Sequence, residues 1–368
     1  MHRKQVAIFL PSLVGGGAER MMLNLALGLA RAGLDVDLVL AQAIGDYLDD
    51  VTGGVKVVDL GAQRTITALP GLARYLTRKH PAALVSALDH ANLVALAAKA
   101  ISGTPTPVFV SVRNTLSMST RRTGRLRDRL VLYLTGHFYG RAEAVIAVSR
   151  GVATDLASLT GLPQDRIKVI YNPVVTPELR ALAAEQLTHP WFAPGAPPVI
   201  LAAGRLTQQK GFATLISAFS QVRENRSVRL LILGEGPERR HLDAEIRRLG
   251  LGDEVRLEGF VKNPFAYMRR AALFVLSSLW EGLPGVLIQA MACGAPVVST
   301  DCPSGPREIL EDGRLGLLVP TGDARALAEA MIATLDNPPE RGDLLERAED
   351  FSLDKVTRQY VEVLLGNR

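Results

Sequence analysis

Short runs of Val, Ile and Leu alternate along the whole chain with stretches in which apolar residues recur at helical spacing. That alternation is the pattern of parallel strands joined by crossover helices, so the expected fold class is α/β. In the first half strands are predicted at residues 6–11, 35–41, 55–60, 83–87, 107–112, 144–148 and 167–171, with helical patterns between most of them, as at 18–32. In the second half they are predicted at 198–203, 228–233, 254–257, 273–277, 296–299 and 316–319. Two doubly wound sheets follow. Between them, residues 172–198 hold Pro173, Pro177, Pro190, Pro194, Pro197 and Pro198 around a polar helical patch, a density that marks a linker. The expected organisation is a Rossmann-like domain over 1–172, a linker over 173–197, a second Rossmann-like domain over 198–350, and a terminal helix over 351–368 packing back toward the first domain. Two such sheets facing each other would gather the carboxyl ends of their strands around one cleft, where ligands of parallel sheets bind.

A length of 368 residues suits two domains with ample cores. With 48% hydrophobic and 21% charged residues, global disorder is excluded. The formal charge of +5 permits an anionic ligand or surface without demanding a nucleic acid, and no nucleic-acid partner is expected. Cys293 and Cys302 are the only cysteines, too few and too oddly spaced for a disulfide framework or zinc site, which fits a reducing cytosol. No apolar run approaches the roughly 18 residues of a membrane span. Residues 1–11 lack the apolar region and cleavage site of a signal peptide, so a cytoplasmic location is expected.

The first strand runs into Gly15-Gly16-Gly17-Ala18-Glu19-Arg20, a glycine-rich turn at a helix start. Backbone N–H groups at such a turn suit a phosphate, although a tight turn needed only to start the helix would read the same way. A dinucleotide fingerprint is not met: Arg20 stands where a third Gly or Ala belongs, and residues 39–42 end the second strand without an acidic ribose ligand. After the first strand of the second half comes Gly204-Arg205-Leu206-Thr207-Gln208-Gln209-Lys210-Gly211. Two cations in a glycine-bounded loop could hold a diphosphate as it leaves; a solvated basic loop is the alternative. Gly234-Glu235-Gly236 closes the next strand with turn chemistry. Further on, Glu281 lies in a Gly/Pro-rich turn and Gln289 about two turns along the ensuing helix. A carboxylate and an amide so placed could each grip hydroxyls of one polar ligand.

At these residues the chain resembles the retaining glycosyltransferases of family four, with the GT-B architecture of two facing Rossmann-like domains. The resemblance covers essentially the whole chain and rests on the ordered set of the Gly15 turn, the basic loop after Gly204, the Gly234 turn, Gly259-Phe260-Val261, the Glu281 turn and Asp301-Cys302-Pro303-Ser304-Gly305-Pro306-Arg307-Glu308. It implies that Arg205 and Lys210 bind the diphosphate of a nucleotide sugar and that Glu281 contacts the donor sugar, the three forming the catalytic set. It places Gly16, Gly17, Gly204, Gly234, Gly282, Leu283 and Pro284 near the donor, with Val261 near the base. Two positions depart from the family. The second glutamate, eight residues after the first, is Gln289, which can still accept from a ribose hydroxyl without the charge-assisted bond. The histidine that several members carry after the fifth strand is replaced by Arg113, either a substitute contact or a surface loop arginine. Acceptor contacts are assigned to His90, Arg113 and Arg20, with His90 or Asp89 capping a helix beginning at Ala91 as the alternative.

The implied activity is sugar transfer from a nucleotide sugar, UDP first and GDP next, to a lipid-linked or polysaccharide acceptor of cell-surface glycan assembly. The resemblance implies no cofactor and no metal. Asp35-Val36-Asp37 resembles the metal motif of another glycosyltransferase architecture, but it opens a strand instead of following one. Histidines His2, His80, His137, His189 and His241 show no ligand spacing. A nucleotide-sugar epimerase of the same architecture, or a non-catalytic sensor, would bind the donor without transferring sugar. Finally, Arg113, Arg121, Arg122, Arg125, Arg127 and Arg129 face one acid, Asp128, over residues 113–130, and run into an apolar stretch. Such a segment suits an anionic membrane surface and a peripheral location on the inner face of the cell membrane; a core helix with solvated arginines is the alternative.

Overall fold

The computed structural model describes residues 3–117, 126–224 and 226–366. Arg121, Arg122 and Arg125 of the basic segment, and the side chains of Arg127 and Arg129, lie outside the described set. The chain divides into two compact units, Met1–Val174 with Leu353–Arg368, and Val175–Ser352.

The first unit holds a seven-stranded sheet of β1 (Gln5–Leu10), β2 (Asp35–Leu40), β3 (Lys56–Asp59), β4 (Ala83–Ala87), β5 (Val108–Val112), β6 (Ala144–Ala147) and β7 (Ile167–Val169), in the order β3-β2-β1-β4-β5-β6-β7. The second holds six strands, β8 (Val199–Ala203), β9 (Arg229–Leu233), β10 (Val255–Gly259), β11 (Leu273–Leu276), β12 (Val297–Thr300) and β13 (Leu317–Val319), in the order β10-β9-β8-β11-β12-β13. Every ladder is parallel. Each predicted strand is present, with ends shifted by one or two residues. The central strands β4 and β5 are buried at every position, as their mainly apolar runs, each interrupted by one buried serine (Ser86 and Ser111), require when helices cover both faces. Edge strand β3, with Lys56 and Asp59 at its ends, is largely exposed.

In both sheets the order reverses beside the first strand, between β1 and β4 and between β8 and β11. Ligands of open parallel sheets bind at the carboxyl ends of strands at such a point. The Gly15 turn and Asp89-His90 follow β1 and β4; the Gly204 loop and the Glu281 turn follow β8 and β11.

The terminal helix Leu353–Leu365 belongs to the first unit, where Val356, Tyr360 and Leu364 join the core built around β1, β2 and β4. Close approach to the helix Gly17–Arg31 depends on Gly28, since a Cβ there would lie 2.2 Å from Thr357 Oγ1. From residue 175 the proline-rich stretch is part of the second unit. Pro177 occupies the first turn of the helix Pro177–Ala184, whose Thr176 Oγ1 accepts from Leu179 N at 3.3 Å. Asn263 Nδ2 donates to Leu182 O at 2.9 Å and to Glu185 Oε2 at 2.8 Å, which ties that helix to the rest of the unit. No helix among the described residues is long and apolar enough to cross a membrane.

Candidate active site

In the second unit, the loop after β8 and the turn after β11 are brought into direct contact. Gly211 makes this possible: at φ +62° its Cα faces Ser277 O, which a Cβ would approach to 2.1 Å. Ser277 Oγ donates to Lys210 O at 2.7 Å, Leu279 N to Gln209 O at 2.8 Å, and Gln209 Nε2 to Trp280 O at 2.9 Å. The loop is thereby laced to the turn through backbone and amide bonds. Lys210 Nζ then lies 2.6 Å from Glu281 Oε1, with both side chains largely buried. The same oxygen accepts from Ser278 Oγ at 2.7 Å, and Ser278 is fully buried. Charge-assisted bonds of this kind are the strong ones. Oε1 therefore receives two donors, from Lys210 and Ser278.

Behind Glu281 stands the stretch 301–308. Glu281 N donates to Pro303 O at 2.8 Å, Ser304 N to Glu281 O at 3.0 Å, and Ser304 Oγ to Gly282 O at 2.8 Å. Gly282, Leu283 and Pro284 are buried under this brace. Cys302 sits within it, and burial, reinforced by the charge of Glu281, pushes its thiol up to about 12. It therefore remains a thiol at neutral pH and is no nucleophile there.

Arg205 is exposed, and its guanidinium pairs with no side chain among the described residues. Gly234 packs against the Gly204 loop, where a Cβ would come within 2.0 Å of Gly204 O, and Gly234 N donates to Gly259 O at 2.7 Å. Val261 is partly buried just beyond, beside Phe260, which is 82% exposed. Gln289 lies one turn, not two, into its helix, because that helix starts at Gly285 directly after Pro284. Its side-chain amide makes no hydrogen bond among the described residues.

In the first unit, the helix Gly17–Arg31 starts at the glycine turn with Gly16 as its N-cap. The Glu19 carboxylate folds over Gly16, so close that a Cβ would collide with it. A negative charge at a helix N-terminus is favourable. Arg20 turns away to pair with Asp50 at 2.6 Å and lies 3.9 Å above the Tyr47 ring. The helix after β4 starts at Asp89, not Ala91, and has no side-chain cap; Leu88, at φ +77°, turns the chain into it. His90, exposed in the first turn, is thus not the cap.

Arg113 follows β5 in a loop but is not a surface arginine. It is buried, its guanidinium donates to Asn172 Oδ1 at 2.5 Å and lies 2.7 Å from Met22 Sδ, and burial pulls its pKa below the ordinary arginine value. Asp35 opens β2 at the surface, whereas Asp37 is buried and accepts from Gln5 Nε2 at 2.9 Å and Tyr75 OH at 2.8 Å. His189 caps the 3-10 turn Pro190–Phe192, its Nδ1 accepting from Trp191 N at 3.1 Å. Among the described residues no group of three or more His, Cys, Asp or Glu side chains is placed to hold a metal.

Sequence reasoning missed Ser278 and the contact between Lys210 and Glu281. The serine's only signal was its place three residues before Glu281, at the end of a strand.

Solved structures share this architecture. The Anabaena protein HepE, determined in complex with UDP-glucose, superimposes with a TM-score of 0.81 over 98% of this chain and 99% of that one, at 21% identity. The fold is that of the GT-B glycosyltransferases, two parallel-sheet Rossmann-like units of seven and six strands. Residues 15–177 match Glycosyltransferase Family 4, and residues 197–337 match Glycosyl transferases group 1. An uncharacterised glycosyltransferase of Methanocaldococcus jannaschii is 30% identical over 277 residues, 66% of this chain and 68% of the relative. The N-acetylgalactosamine-N,N'-diacetylbacillosaminyl-diphospho-undecaprenol 4-alpha-N-acetylgalactosaminyltransferase of Campylobacter jejuni is 29% identical, covering 76% of this chain and 75% of its own length. The chain belongs to glycosyltransferase family four.

Proposed function

We propose that this protein transfers a sugar from a UDP-sugar to a hydroxyl of a lipid-linked or polysaccharide intermediate of cell-surface glycan assembly, with retention at the anomeric carbon and without a metal. The observation that carries the reading is the Lys210–Glu281 pair at the switch point of the second sheet, with Arg205 exposed on the same loop. A diphosphate arriving there competes with Glu281 for Lys210. Released from that pair, the carboxylate is available to sugar hydroxyls, while Lys210 and Arg205 meet the phosphate charge.

In the step itself the bond from the anomeric carbon to the phosphate oxygen breaks, and the electron pair leaves with UDP. The acceptor oxygen bonds to the same face of the sugar, and its proton passes to the departing phosphate oxygen. Cations fixed beside that oxygen act most strongly where its charge is greatest, in the transition state. The UDP-glucose bound by HepE and the undecaprenol-diphosphate-linked acceptor named for the Campylobacter relative support the donor and acceptor classes.

The test is UDP release across UDP-, GDP- and ADP-sugars with lipid-linked acceptors, in EDTA, with the anomeric configuration of the product read by NMR. Turnover with a UDP-sugar and retained configuration are expected. Inversion, or strict dependence on added metal, would overturn the mechanism, and epimerised donor without transfer would overturn the function.

A further inference from the structure

The brace behind Glu281 ends in a helix of four residues, Pro306–Ile309. A helix so short gains little from its own hydrogen bonds, and its last carbonyls find no partner within it. Two of those carbonyls are met by one side chain from a later helix. Arg347, on the helix Arg341–Ala348, donates from Nη2 to Glu308 O at 2.8 Å and from Nε to Ile309 O at 3.1 Å. Nε and Nη2 share one edge of the planar guanidinium, so the two carbonyls are held in a fixed orientation. Arg347 is fixed in its turn. Only 12% of its side chain is exposed, Nη1 donates to Asp350 Oδ2 at 2.5 Å, Glu311 Oε1 lies 3.6 Å from Nε, and the guanidinium carbon sits 5.0 Å from the centre of the buried Phe351 ring. Phe351 O accepts from Val175 N at 3.0 Å, and Val175 bridges Ser352, so this corner is where the chain of the second unit begins and ends.

At the other end of the brace stands Glu281. Both of its backbone polar groups are bonded there, N to Pro303 O and O to Ser304 N. Gly305, at φ +102°, packs so closely that a Cβ would lie 2.6 Å from Pro284 Cδ and 3.0 Å from Gly282 O. A continuous line of contacts thus joins the Arg347 guanidinium to the backbone from which the Glu281 carboxylate hangs. Lys210 and Ser278 aim the carboxylate, and the brace sets where its backbone stands. An arginine needed only for stability would share these contacts but would leave the turn unmoved once the protein had folded.

We propose that Arg347 is a positioning residue for Glu281, acting through residues 303–309 and touching no ligand itself. Its effect on turnover rests on the transferase reading above, whereas its effect on the Glu281 turn does not. Misplacing an orienting group by about 1 Å costs up to about a hundredfold in rate. The loss belongs in kcat and not in the binding of UDP alone, which offers Glu281 no sugar.

Arg347→Met keeps the apolar stem and loses every donor; Arg347→Lys keeps the charge but not the fork. In the full chain kcat should fall about tenfold or more in the first and about fivefold in the second, with Kd for UDP within about threefold of the parent. Asp350→Asn, which leaves both carbonyl bonds in place, should keep kcat within about threefold. Ser304→Ala removes the 2.8 Å bond to Gly282 O. If both residues act through one brace, the double variant Arg347→Lys/Ser304→Ala should lose less than the product of the two single losses. The turn is also read without activity. Trp191 and Trp280 are the only tryptophans, so in a Trp191→Phe background the emission maximum and iodide quenching report the residue before Glu281. Both should change in Arg347→Lys at a temperature where far-UV circular dichroism shows it folded, and this variant decides if Arg347→Met does not fold. An unaltered Trp280 signal, a kcat within about twofold, or losses that multiply would each overturn the proposal. If the parent protein turns over no UDP-sugar while the Trp280 signal changes, the transferase reading fails and the positioning of the turn stands.

Discussion

Gly15-Gly16-Gly17 follows the first strand of one sheet and residues 204–211 follow the first strand of the other, yet glycine does different work in the two turns. In the first unit the backbone is left open. A Cβ on Gly17 would meet nothing within 4 Å, and the helix N-terminus is already shielded by the Glu19 carboxylate. In the second unit glycine is there for contact. Gly211 lets the basic loop touch Ser277, and Gly234 lets the next turn touch Gly204. One turn exposes amides under a resident anion; the other locks two cation-bearing and carboxylate-bearing segments together. Under the proposed function the chemistry belongs to the second turn, where the cation and the carboxylate are already held side by side before a ligand arrives.

The comparison breaks if glycine proves interchangeable between the turns. Gly211→Ala should cost about 3 kcal/mol of unfolding free energy, from a positive φ and a backbone collision together. Gly17→Ala, in the first turn of a helix, should be neutral or stabilising by up to about 1 kcal/mol. Denaturant titration of both variants decides, and equal costs would dissolve the distinction.

For activity, Lys210→Ala should lower kcat about a hundredfold or more, whereas Arg20→Ala, whose charge is spent on Asp50 and Tyr47, should lower it less than tenfold. A mutant Lys210→Ala that changed only the donor KM would remove the leaving-group role. Next in size is Ser278→Ala, which strips one of two donors from Glu281 Oε1. A bond to a charged group contributes about 1.5–3 kcal/mol, so kcat/KM should fall about ten- to a hundredfold. Ser278→Thr, which keeps the hydroxyl, should recover most of it if the group acts by aiming the carboxylate. The smallest change is Gln289→Glu, expected to tighten UDP while leaving kcat within a few-fold. Loss of folding in that variant would mean the position faces protein instead of ribose.

Much of the fold was legible because parallel strands covered on both faces must be mainly apolar runs, and β8 and β11 are wholly so in sequence, β4 and β5 but for one serine each. Strand ends blurred by a residue or two because flanking positions such as Pro11 and Tyr171 are also apolar. The glycine and basic residues of the turns stood out in sequence, but which turns lie at the switch points came only with the strand order of the structure. What could not be read was pairing at long range. Arg113 looks like any arginine after a strand until Asn172, 59 residues away, is seen to hold it in the interior. Lys210 and Glu281 are 71 residues apart, and only the collision-free face of Gly211 brings them together. Leu88 hid the start of a helix, since a leucine at positive φ has no sequence signature.

The first unit is built from two pieces of chain, and this sets an order of events during synthesis. Residues 175–352 form a continuous stretch and can close as soon as they have emerged from the ribosome. The earlier-made unit must wait, because Val356, Tyr360 and Leu364 complete a core whose other members lie within residues 6–170. The usual amino-to-carboxyl order of domain maturation is therefore reversed. Until residues 353–365 have been made, the half translated first has a vacant seam beside the helix Gly17–Arg31.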